Sequence, residues 1–434
     1  MDDPRISRMY LSLAAQWLSK ARKNLWRAAG ILTLLALTVG LVLIAWVWKQ
    51  HHVRFSQLKA ELKRPEPPAN ATLRPGGQEP LILERTQIEG AASPEFLRAT
   101  LLPGRGMNLF QITAWLPQKG EVQLLASPSL ENATKQFTGT GTDAAGALSL
   151  ALGGAYEAPW AGTLYTGSSA NGKTLNVLWE EHSIALPASG HNGAQTMATG
   201  GFLLKRAATS STTNVMPDGG EAQAVFDAGD FEGRWPSKTK ITATVQLNSH
   251  AIEMKMIAQN TGDQPAPIGL GWQPLFAMLS ADRASVRLRL PSDTKIEKNH
   301  KSGSPTGKLL SSLEEAFTAR DGAPLGSLSL DDTFVHLHQG LLDNGPVVEL
   351  RDPENNFGLR LTLLSTAVRA VHVYAPANKK VISIAPRFNY DDPFGREWPT
   401  GEDTGMITLA PGRSVEWHIR LEIFSLSSAQ QQPM

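Results

Sequence analysis

The sequence predicts an all-β domain, a large antiparallel β-sandwich, preceded by one membrane-spanning helix. Short runs of alternating apolar and polar residues recur after Glu89, separated by turn-forming residues. The 434 residues include 38 Gly and 28 Pro, and helix-period patterns are scarce after residue 65. An uncharged run over residues 28–48 spans roughly 30 Å at ~1.5 Å per residue, which matches the hydrocarbon core of a bilayer.

The apolar run 28–48 favours an uncleaved anchor over a signal peptide. Trp26, Trp46 and Trp48 lie at its ends, where aromatic rings prefer the membrane interface. A cleaved signal peptide is disfavoured because the run and its leader are long and no small-x-small site precedes Lys49. Basic residues flank both ends nearly equally, so the orientation rests on the short N-terminus. A short N-terminus followed by a large C-terminal domain predicts a single-pass membrane protein whose C-terminal domain is periplasmic or otherwise extracytoplasmic.

The chain divides into five predicted segments. Residues 1–27 form a basic leader, 28–48 the transmembrane helix, and 49–89 a Pro/Gly-rich linker that holds the domain away from the membrane. Residues 90–426 form one β-sandwich domain, because no compositional boundary divides them, and 427–434 form a tail.

The clearest strand prediction is a hairpin. Residues 241–247 and 251–258 both alternate apolar and polar side chains, and Asn248-Ser249 supplies the turn between them. The same alternation predicts further strands at 285–290, 347–350, 359–363, 371–374 and 414–424.

Two segments resemble those of the aldose 1-epimerase (galactose mutarotase) family. Residues 269–276 read Gly-Leu-Gly-Trp-Gln-Pro-Leu-Phe, where that family usually has Gly-Phe-His-Pro-Tyr-Phe with the His as general acid. Residues 384–389 read Ile-Ala-Pro-Arg-Phe-Asn, where the family usually has Ile-Glu-Pro-Gln-x-Asn with the Glu as general base. Gln273 therefore stands at the position of the acid, and Ala385 at the position of the base.

The resemblance covers most of residues 95–425 and implies the galactose mutarotase-like supersandwich. Further similar segments follow in family order at 102–108, 153–161, 227–231, 235–238, 330–334, 373–376 and 404–412. By the same resemblance, Thr163 replaces an arginine of the sugar site and Gly200 replaces the first His. Asp331 keeps its family identity, and the family's Asp holds sugar hydroxyls.

These replacements predict a carbohydrate-binding domain tethered to a membrane, with reduced or no mutarotase activity. Mutarotation needs one group to remove the anomeric proton and another to protonate the ring oxygen, both with a pKa near the working pH. No catalytic position is intact, because an amide cannot supply a proton near neutral pH and alanine has no polar group. The alternative is an active aldose or hexose-phosphate 1-epimerase, an isomerase, with relocated catalytic groups. A third interpretation is a protein-interaction module with a vestigial cleft.

Five residues are candidates for ligand binding. Asp331 and Gln273 follow from the resemblance. Trp272 and Trp160 lie in site segments, where flat rings suit the apolar faces of sugars, although tryptophan serves equally well in a core. Arg105, in a Gly-Arg-Gly turn, either holds an anionic group or caps the turn.

Four histidines have both a functional and a structural interpretation. His191 is either a displaced substitute for the first family His or a surface-loop residue, and the second is favoured. His336 and His338 alternate on a strand and would face one side, but a solvated face is favoured over a metal site. His372 is interpreted as a packed or surface histidine rather than a pocket residue.

The remaining composition narrows the partners. Asp391, Asp392 and Glu397 offer a relocated carboxylate, but a turn stabilised by Asp side chains is favoured. The absence of cysteine excludes disulfides, thiol catalysis and Cys-ligated zinc. The formal net charge of +1 gives no reason to expect nucleic acid. A sugar or glycan ligand and a membrane are the predicted partners, with no cofactor, no metal and no specified oligomeric state.

Overall fold

The structure is a computed structural model that describes residues 73–166, 173–192, 195–311, 319–320 and 322–426. The predicted leader, transmembrane helix, tail and most of the linker lie outside these residues. Within the described ranges, neither helix has the length and apolar character that a bilayer-crossing segment needs.

The described chain is built almost entirely of strands. In chain order they are β1 Leu81–Glu84, β2 Glu95–Leu102, β3 Asn108–Leu116, β4 Gly120–Gln123, β5 Gly154–Glu157, β6 Thr163–Thr166, β7 Thr174–Trp179, β8 His182–Pro187, β9 Gly190–Asn192, β10 Gln195–Thr199, β11 Ser210–Met216, β12 Gly219–Gly229, β13 Thr239–Leu247 and β14 Ala251–Asn260. They continue as β15 Ala266–Ile268, β16 Gly271–Pro274, β17 Phe276–Ala277, β18 Arg287–Arg289, β19 Thr294–Lys298, β20 Pro305–Ser311, β21 Ala323–Pro324, β22 Leu330–Val335, β23 Val347–Asp352, β24 Phe357–Leu363, β25 Ala370–Ala375, β26 Val381–Arg387, β27 Ile407–Leu409 and β28 Ser414–Ser425. Within the described ranges, α-helices are α1 Leu130–Gln136 and α2 Leu148–Ala151, and 3-10 turns occupy Pro75–Gly77, Pro103–Arg105, Gly141–Asp143 and Arg283–Ser285.

Two large sheets form the sandwich. The first has 12 strands in the order β1-β2-β3-β5-β16-β26-β25-β22-β19-β20, with β4 beside β3 and β17 beside β26. The second has nine strands in the order β11-β12-β13-β14-β28-β24-β23-β18-β21. All pairings within both sheets are antiparallel, as the sequence predicts. Smaller sheets join β6, β10 and β9, then β7 with β8, and β15 with β27.

The core lies between the two large sheets. Tyr156 on β5 meets Trp417 on β28 edge to face, with their ring centroids 6.2 Å apart, and both rings are buried. Along β14 the side chains alternate between buried and partly exposed, which is the period-two pattern read from the sequence. Burial of this alternating face explains why these residues form strands.

The predicted hairpin is β13 and β14. Residues pair in register from Thr239 with Asn260 to Leu247 with Ile252. The Asn248 side-chain oxygen accepts a hydrogen bond of 2.7 Å from the backbone N–H of Ala251, and this bond fixes the turn.

Two element boundaries differ from the prediction. Leu81–Glu84, placed in the linker by the sequence, forms β1 and pairs with β2. The strand predicted over 285–290 shortens to Arg287–Arg289, because the Asp282 side chain accepts from the N–H of Ala284 and starts a 3-10 turn.

Strand β11 ends the nine-stranded sheet. All seven of its side chains are exposed, and Val215 is 97% exposed. Its backbone pairs with β12, and it also lies beside β1.

Candidate functional site

Five residues lie on one face of the 12-stranded sheet: three positions that the resemblance identifies, and two further polar residues. Strand register places Ala385 directly opposite His372, and Arg387 opposite Gly271, two residues before Gln273. Asp331 pairs with Tyr374, two residues after His372. Because alternate residues of a strand share a face, Gln273, Ala385, Arg387, His372 and Asp331 face the same way. We call this surface the site face.

Arg387 is the centre of the site face, and the sequence analysis did not single it out. It is 3% exposed. Its Nη2 donates to the Gln273 Oε1 at 2.8 Å, and its Nη1 donates to the Asp391 Oδ1 at 3.1 Å. Its Nε lies 3.4 Å from the Glu157 Oε2. Gln273, which replaces the family acid, is therefore bound to a permanent cation.

Asp391 belongs to this buried cluster, although the segment that it starts forms a turn, with the Gly395 N–H bonded to the Asp392 carbonyl. Its Oδ2 accepts a hydrogen bond of 2.6 Å from the Thr333 hydroxyl, and its Oδ1 accepts one of 3.2 Å from the Thr163 N–H. Burial acts to raise the pKa of Asp391, but the charge of Arg387, the charge of Lys298 and the hydrogen bond from Thr333 together outweigh it and lower the pKa to about 2. Asp391 is therefore the ionised partner of Arg387.

Glu157 behaves differently at the same cation. Burial raises its pKa above the ordinary value, although the charge of Arg387 and the N–H of Gly162 act against this. Its side chain is fully buried, and its Oε2 has no hydrogen-bond partner among the described residues. One arginine thus faces two carboxyl groups with pKa values shifted in opposite directions.

Gly162 makes room for the arginine. A Cβ built on Gly162 would lie 2.5 Å from the Asp391 Oδ1 and 2.6 Å from the Arg387 Nη1. Its φ of +71° also favours glycine. The resemblance places an Asn-Arg pair where this chain has Gly162 and Thr163, and the Arg387 guanidinium, from the end of β26, lies against Gly162.

His372 and Asp331 form a second pair on the site face. The His372 Nε2 lies 2.9 Å from the Asp331 Oδ1, and the Lys298 Nζ lies 3.1 Å from the same oxygen. Burial, assisted by the charge of Arg387, lowers the pKa of His372, so its imidazole is neutral near pH 7. The hydrogen bond from His372 lowers the pKa of Asp331. His372 is therefore packed, as one of its interpretations has it, and it lies on the site face beside Asp331.

Asn389 joins the segment that contains Ala161 to the end of β26. Its Nδ2 donates to the carbonyl of Ala161 at 2.7 Å, and its Oδ1 accepts from the N–H of Ala161 at 3.1 Å. The turn before Thr163 is thereby fixed against the end of β26.

The predicted ligand residues Trp272, Trp160 and Arg105 have structural positions instead. Trp272 is fully buried on the opposite face of β16, edge to face with Phe276 at 6.0 Å. Trp160 is 2% exposed and stacks on Trp235 at 5.6 Å. Burial prevents the Trp272 indole from serving as an open platform for a sugar, whereas Trp160 lies in the wall of a cavity of about 630 Å³ away from the site face.

Arg105 is also structural. Its guanidinium donates two hydrogen bonds to the Asp143 carboxylate, at 2.9 and 2.8 Å, and a third to the Ser149 hydroxyl at 3.0 Å. It lies 4.4 Å from the Phe137 ring centroid. Arg105 is 2% exposed and its charge is paired with Asp143, so its position is structural and contradicts the predicted ligand contact.

The Gly200 position does not point at the site face. A Cβ there would meet the side chains of Leu204 and Leu150 at 2.8 to 3.2 Å, in an apolar environment. His191 is exposed on β9, 3.4 Å from the Thr196 hydroxyl, which agrees with the surface interpretation. His336 is exposed and 4.0 Å from Glu402, and no group of His, Asp or Glu in the described ranges is placed to hold a metal ion.

Solved structures define the class of protein to which this sandwich belongs. A galactose mutarotase-like protein from Clostridium acetobutylicum aligns with a TM-score of 0.60 at 14% identity, over 79% of this chain and 98% of that one. An aldose epimerase homologue from C. elegans aligns at 0.57 and 17% identity, over 76% and 95%. A galactose 1-epimerase from Lactobacillus acidophilus aligns at 0.55 and 14% identity, over 80% and 98%. The fold is therefore that of galactose mutarotase-like proteins.

The sequence itself gives the family. The aldose 1-epimerase family model matches residues 168–422, and the chain belongs to that family. No curated protein matches it in sequence.

Sequence reasoning missed Arg387 and Glu157 for a definite reason. Both lie inside recognised segments, at positions to which the resemblance attached no role. Each is a charged side chain within a strand, but the strands that bury it are distant in the sequence, so the local pattern does not reveal its burial.

Proposed function

We propose that this domain binds a sugar on the site face, is held at a membrane by residues 28–48, and has reduced or no mutarotase activity. The observation that carries the proposal is the composition of the site face. Position 385 has no functional group, and Gln273 accepts a hydrogen bond from Arg387. Polar groups suited to sugar hydroxyls remain there, while the acid and base positions are replaced.

The chemistry follows from these groups. A guanidinium donates hydrogen bonds but does not exchange its proton at neutral pH, and an amide likewise does neither acid nor base work. Gln273 and Asp331, which are not buried, can therefore orient a sugar through its hydroxyls, while the buried Arg387 holds the Gln273 amide in place. Ring opening at the anomeric carbon needs two proton transfers, and the family positions supply neither.

A second function, an active epimerase with relocated groups, is favoured by one observation. His372 lies directly opposite Ala385 and is neutral, and its buried Nδ1 has no hydrogen-bond partner in the part of the chain that the structure describes. A neutral imidazole nitrogen can accept a proton. In this alternative His372 takes over the role of the absent carboxylate.

The membrane part of the proposal rests on the uncharged run 28–48 and its flanking tryptophans. It is tested by expressing the full chain and asking whether the protein stays in the membrane after carbonate washing. Protection of the domain from protease in intact cells and its cleavage after the outer compartment is opened would support an extracytoplasmic side. Recovery of the full chain in the carbonate supernatant would refute the anchor.

Asp331 and Asp332 provide a matched test of sugar binding. They are adjacent on β22 and point to opposite faces, and Asp332 lies 3.4 Å from Lys295. We expect Asp331→Asn to weaken binding of the monosaccharide selected on a glycan array by about tenfold, a loss of ~1.4 kcal/mol, and Asp332→Asn to leave it unchanged.

Polarimetry of the same sugar separates the two functions. The proposal expects mutarotation at the buffer rate. Turnover well above it that disappears in His372→Gln would establish the relocated enzyme instead. Equal effects of the two aspartate variants on binding would show that the site face is not the sugar site.

A further inference from the structure

A cleft of about 440 Å³ lies beside the residues that follow Asp391 in the chain. Its walls include Tyr165, Gln195, Ser304, Asp392, Phe394 and Glu397. The volume lies in the ~300–1,000 Å³ range of small-molecule pockets. Two aromatic rings and several amide and carboxyl groups line it, which is the composition that sugars prefer.

The cleft is connected to the site face through β6. The Tyr165 N–H donates to the Asp392 Oδ1 at 3.0 Å, and the Asp392 N–H donates to the Thr163 carbonyl at 2.8 Å. Burial raises the pKa of the Tyr165 phenol, and the charges of Asp391 and Asp331 raise it further, because both carboxylates are close. Tyr165 therefore borders the cleft on one side and the charged groups of the site face on the other.

Two acceptor atoms of the cleft residues are buried without a donor. Gln195 donates through its Nε2 to the Ser304 hydroxyl at 3.3 Å, but its Oε1 has no partner among the described residues. The Glu397 Oε1 is likewise buried and unpartnered in the described ranges. Leaving such an acceptor unsatisfied costs about 1–3 kcal/mol. Both side chains are only partly buried, and a ligand hydroxyl relieves that cost when the side chain turns toward the cleft.

One carboxyl group of the cleft also acts as a donor. Burial raises the pKa of Asp392 well above its ordinary value, and the neighbouring Glu397 carboxylate adds to the effect. Asp392 therefore carries less negative charge than an exposed carboxylate does, and the Arg396 guanidinium lines the same cleft. A ligand rich in hydroxyl groups suits this mixture of donors and acceptors, because a hydroxyl both donates and accepts.

We propose that this cleft is a second sugar subsite, so that the ligand is an oligosaccharide or glycan chain whose adjacent units occupy the site face and the cleft. This inference rests on the proposed sugar-binding function. It adds the substrate class, a chain of at least two sugar units rather than a free monosaccharide. The Gln195 and Glu397 acceptors bind hydroxyls of the second unit, and Tyr165 lies between the two units.

The test compares chain lengths on the full protein in a detergent that contains no sugar. A glycan array first selects the monosaccharide that binds. Isothermal titration then compares it with disaccharides of that sugar in each available α and β linkage. We expect at least one disaccharide to bind about tenfold or more tightly than the monosaccharide, a gain of ~1.4 kcal/mol.

Variants assign the gain to the cleft. Gln195→Ala and Glu397→Ala should each reduce the disaccharide advantage to less than about threefold, while monosaccharide affinity stays unchanged. Gln223→Ala is the matched control, because Gln223 on β12 makes the same 3.3 Å amide-to-hydroxyl bond, to Thr244, on the other large sheet. It should leave both affinities unchanged.

The outcomes separate this inference from the proposed function. Monosaccharide binding that depends on Asp331, without any disaccharide advantage, overturns the second subsite and leaves the proposed function standing. A disaccharide advantage that survives both Gln195→Ala and Glu397→Ala also overturns it. If no glycan on the array binds, both proposals fall.

Discussion

Gly162→Ala is the most direct perturbation of the space that Arg387 occupies. The methyl group would lie 2.5 Å from the Asp391 Oδ1 and 2.6 Å from the Arg387 Nη1, well inside van der Waals contact. A non-glycine residue at a positive φ costs ~1–2 kcal/mol. Crowding in a packed interior adds ~1–3 kcal/mol. We therefore expect the free energy of unfolding to fall by about 2–5 kcal/mol.

Gly233→Ala separates the two contributions. Gly233 has a φ of +77°, and a Cβ there meets no atom within 4 Å. It should cost only the backbone part, about 1–2 kcal/mol. Chemical denaturation of the full protein, followed by tryptophan fluorescence, measures both variants.

A double-mutant cycle with Arg387→Gln tests whether the extra cost comes from the guanidinium. Residues in direct contact typically couple by ~0.5–3 kcal/mol, so Gly162→Ala should cost less when Arg387 is already shortened. Equal destabilisation by Gly162→Ala and Gly233→Ala, together with no coupling to Arg387, would refute the steric argument.

Three further predictions concern the same charges. The pKa of Asp391 is lowered from 3.8 to about 2, so its ionisation contributes ~2 kcal/mol to the free energy of unfolding above pH 3.8, and this is lost as the pH falls through 2. Asp391→Asn should therefore make the free energy of unfolding less dependent on pH in that window. An unchanged acid-unfolding profile would contradict this prediction. Arg105→Met leaves the buried Asp143 carboxylate without its cation and should lower the free energy of unfolding by ~3–5 kcal/mol, without altering sugar affinity at matched folded fraction. A selective loss of affinity in titration calorimetry would show that Arg105 contacts the ligand. The double variant Gln273→His, Ala385→Glu should show no mutarotation by polarimetry, because Arg387 would hold the pKa of the introduced carboxylate too low for a base; turnover clearly above buffer would disprove this.

The elements that local patterning controls could be predicted from the sequence. The β13–β14 hairpin followed from alternation and the Asn248 turn, because both signals lie within a few residues. The β1 strand was missed because Leu81–Glu84 is short and follows a Pro-rich stretch, and only its pairing with β2 makes it a strand.

The site was only half predictable for a related reason. Gln273, Ala385 and Asp331 were found by position in recognised segments, and they do share a face. Arg387 was not found, because its ion-pair partner Asp391 lies in an Asp-Asp-Pro segment that has the composition of a turn. Burial of a charge by distant strands leaves no local signal.

The Asn389–Ala161 clamp has a consequence for how the protein folds. Its two residues are 228 positions apart, and the strands that meet beside it come from opposite ends of the domain. Loop closure of that length must be completed before the contact contributes, so such non-local sheets fold slowly. The site face cannot exist in a partly synthesised or half-folded chain. A bound sugar would therefore slow unfolding of the entire sandwich, and amides far from the site should gain protection from hydrogen exchange.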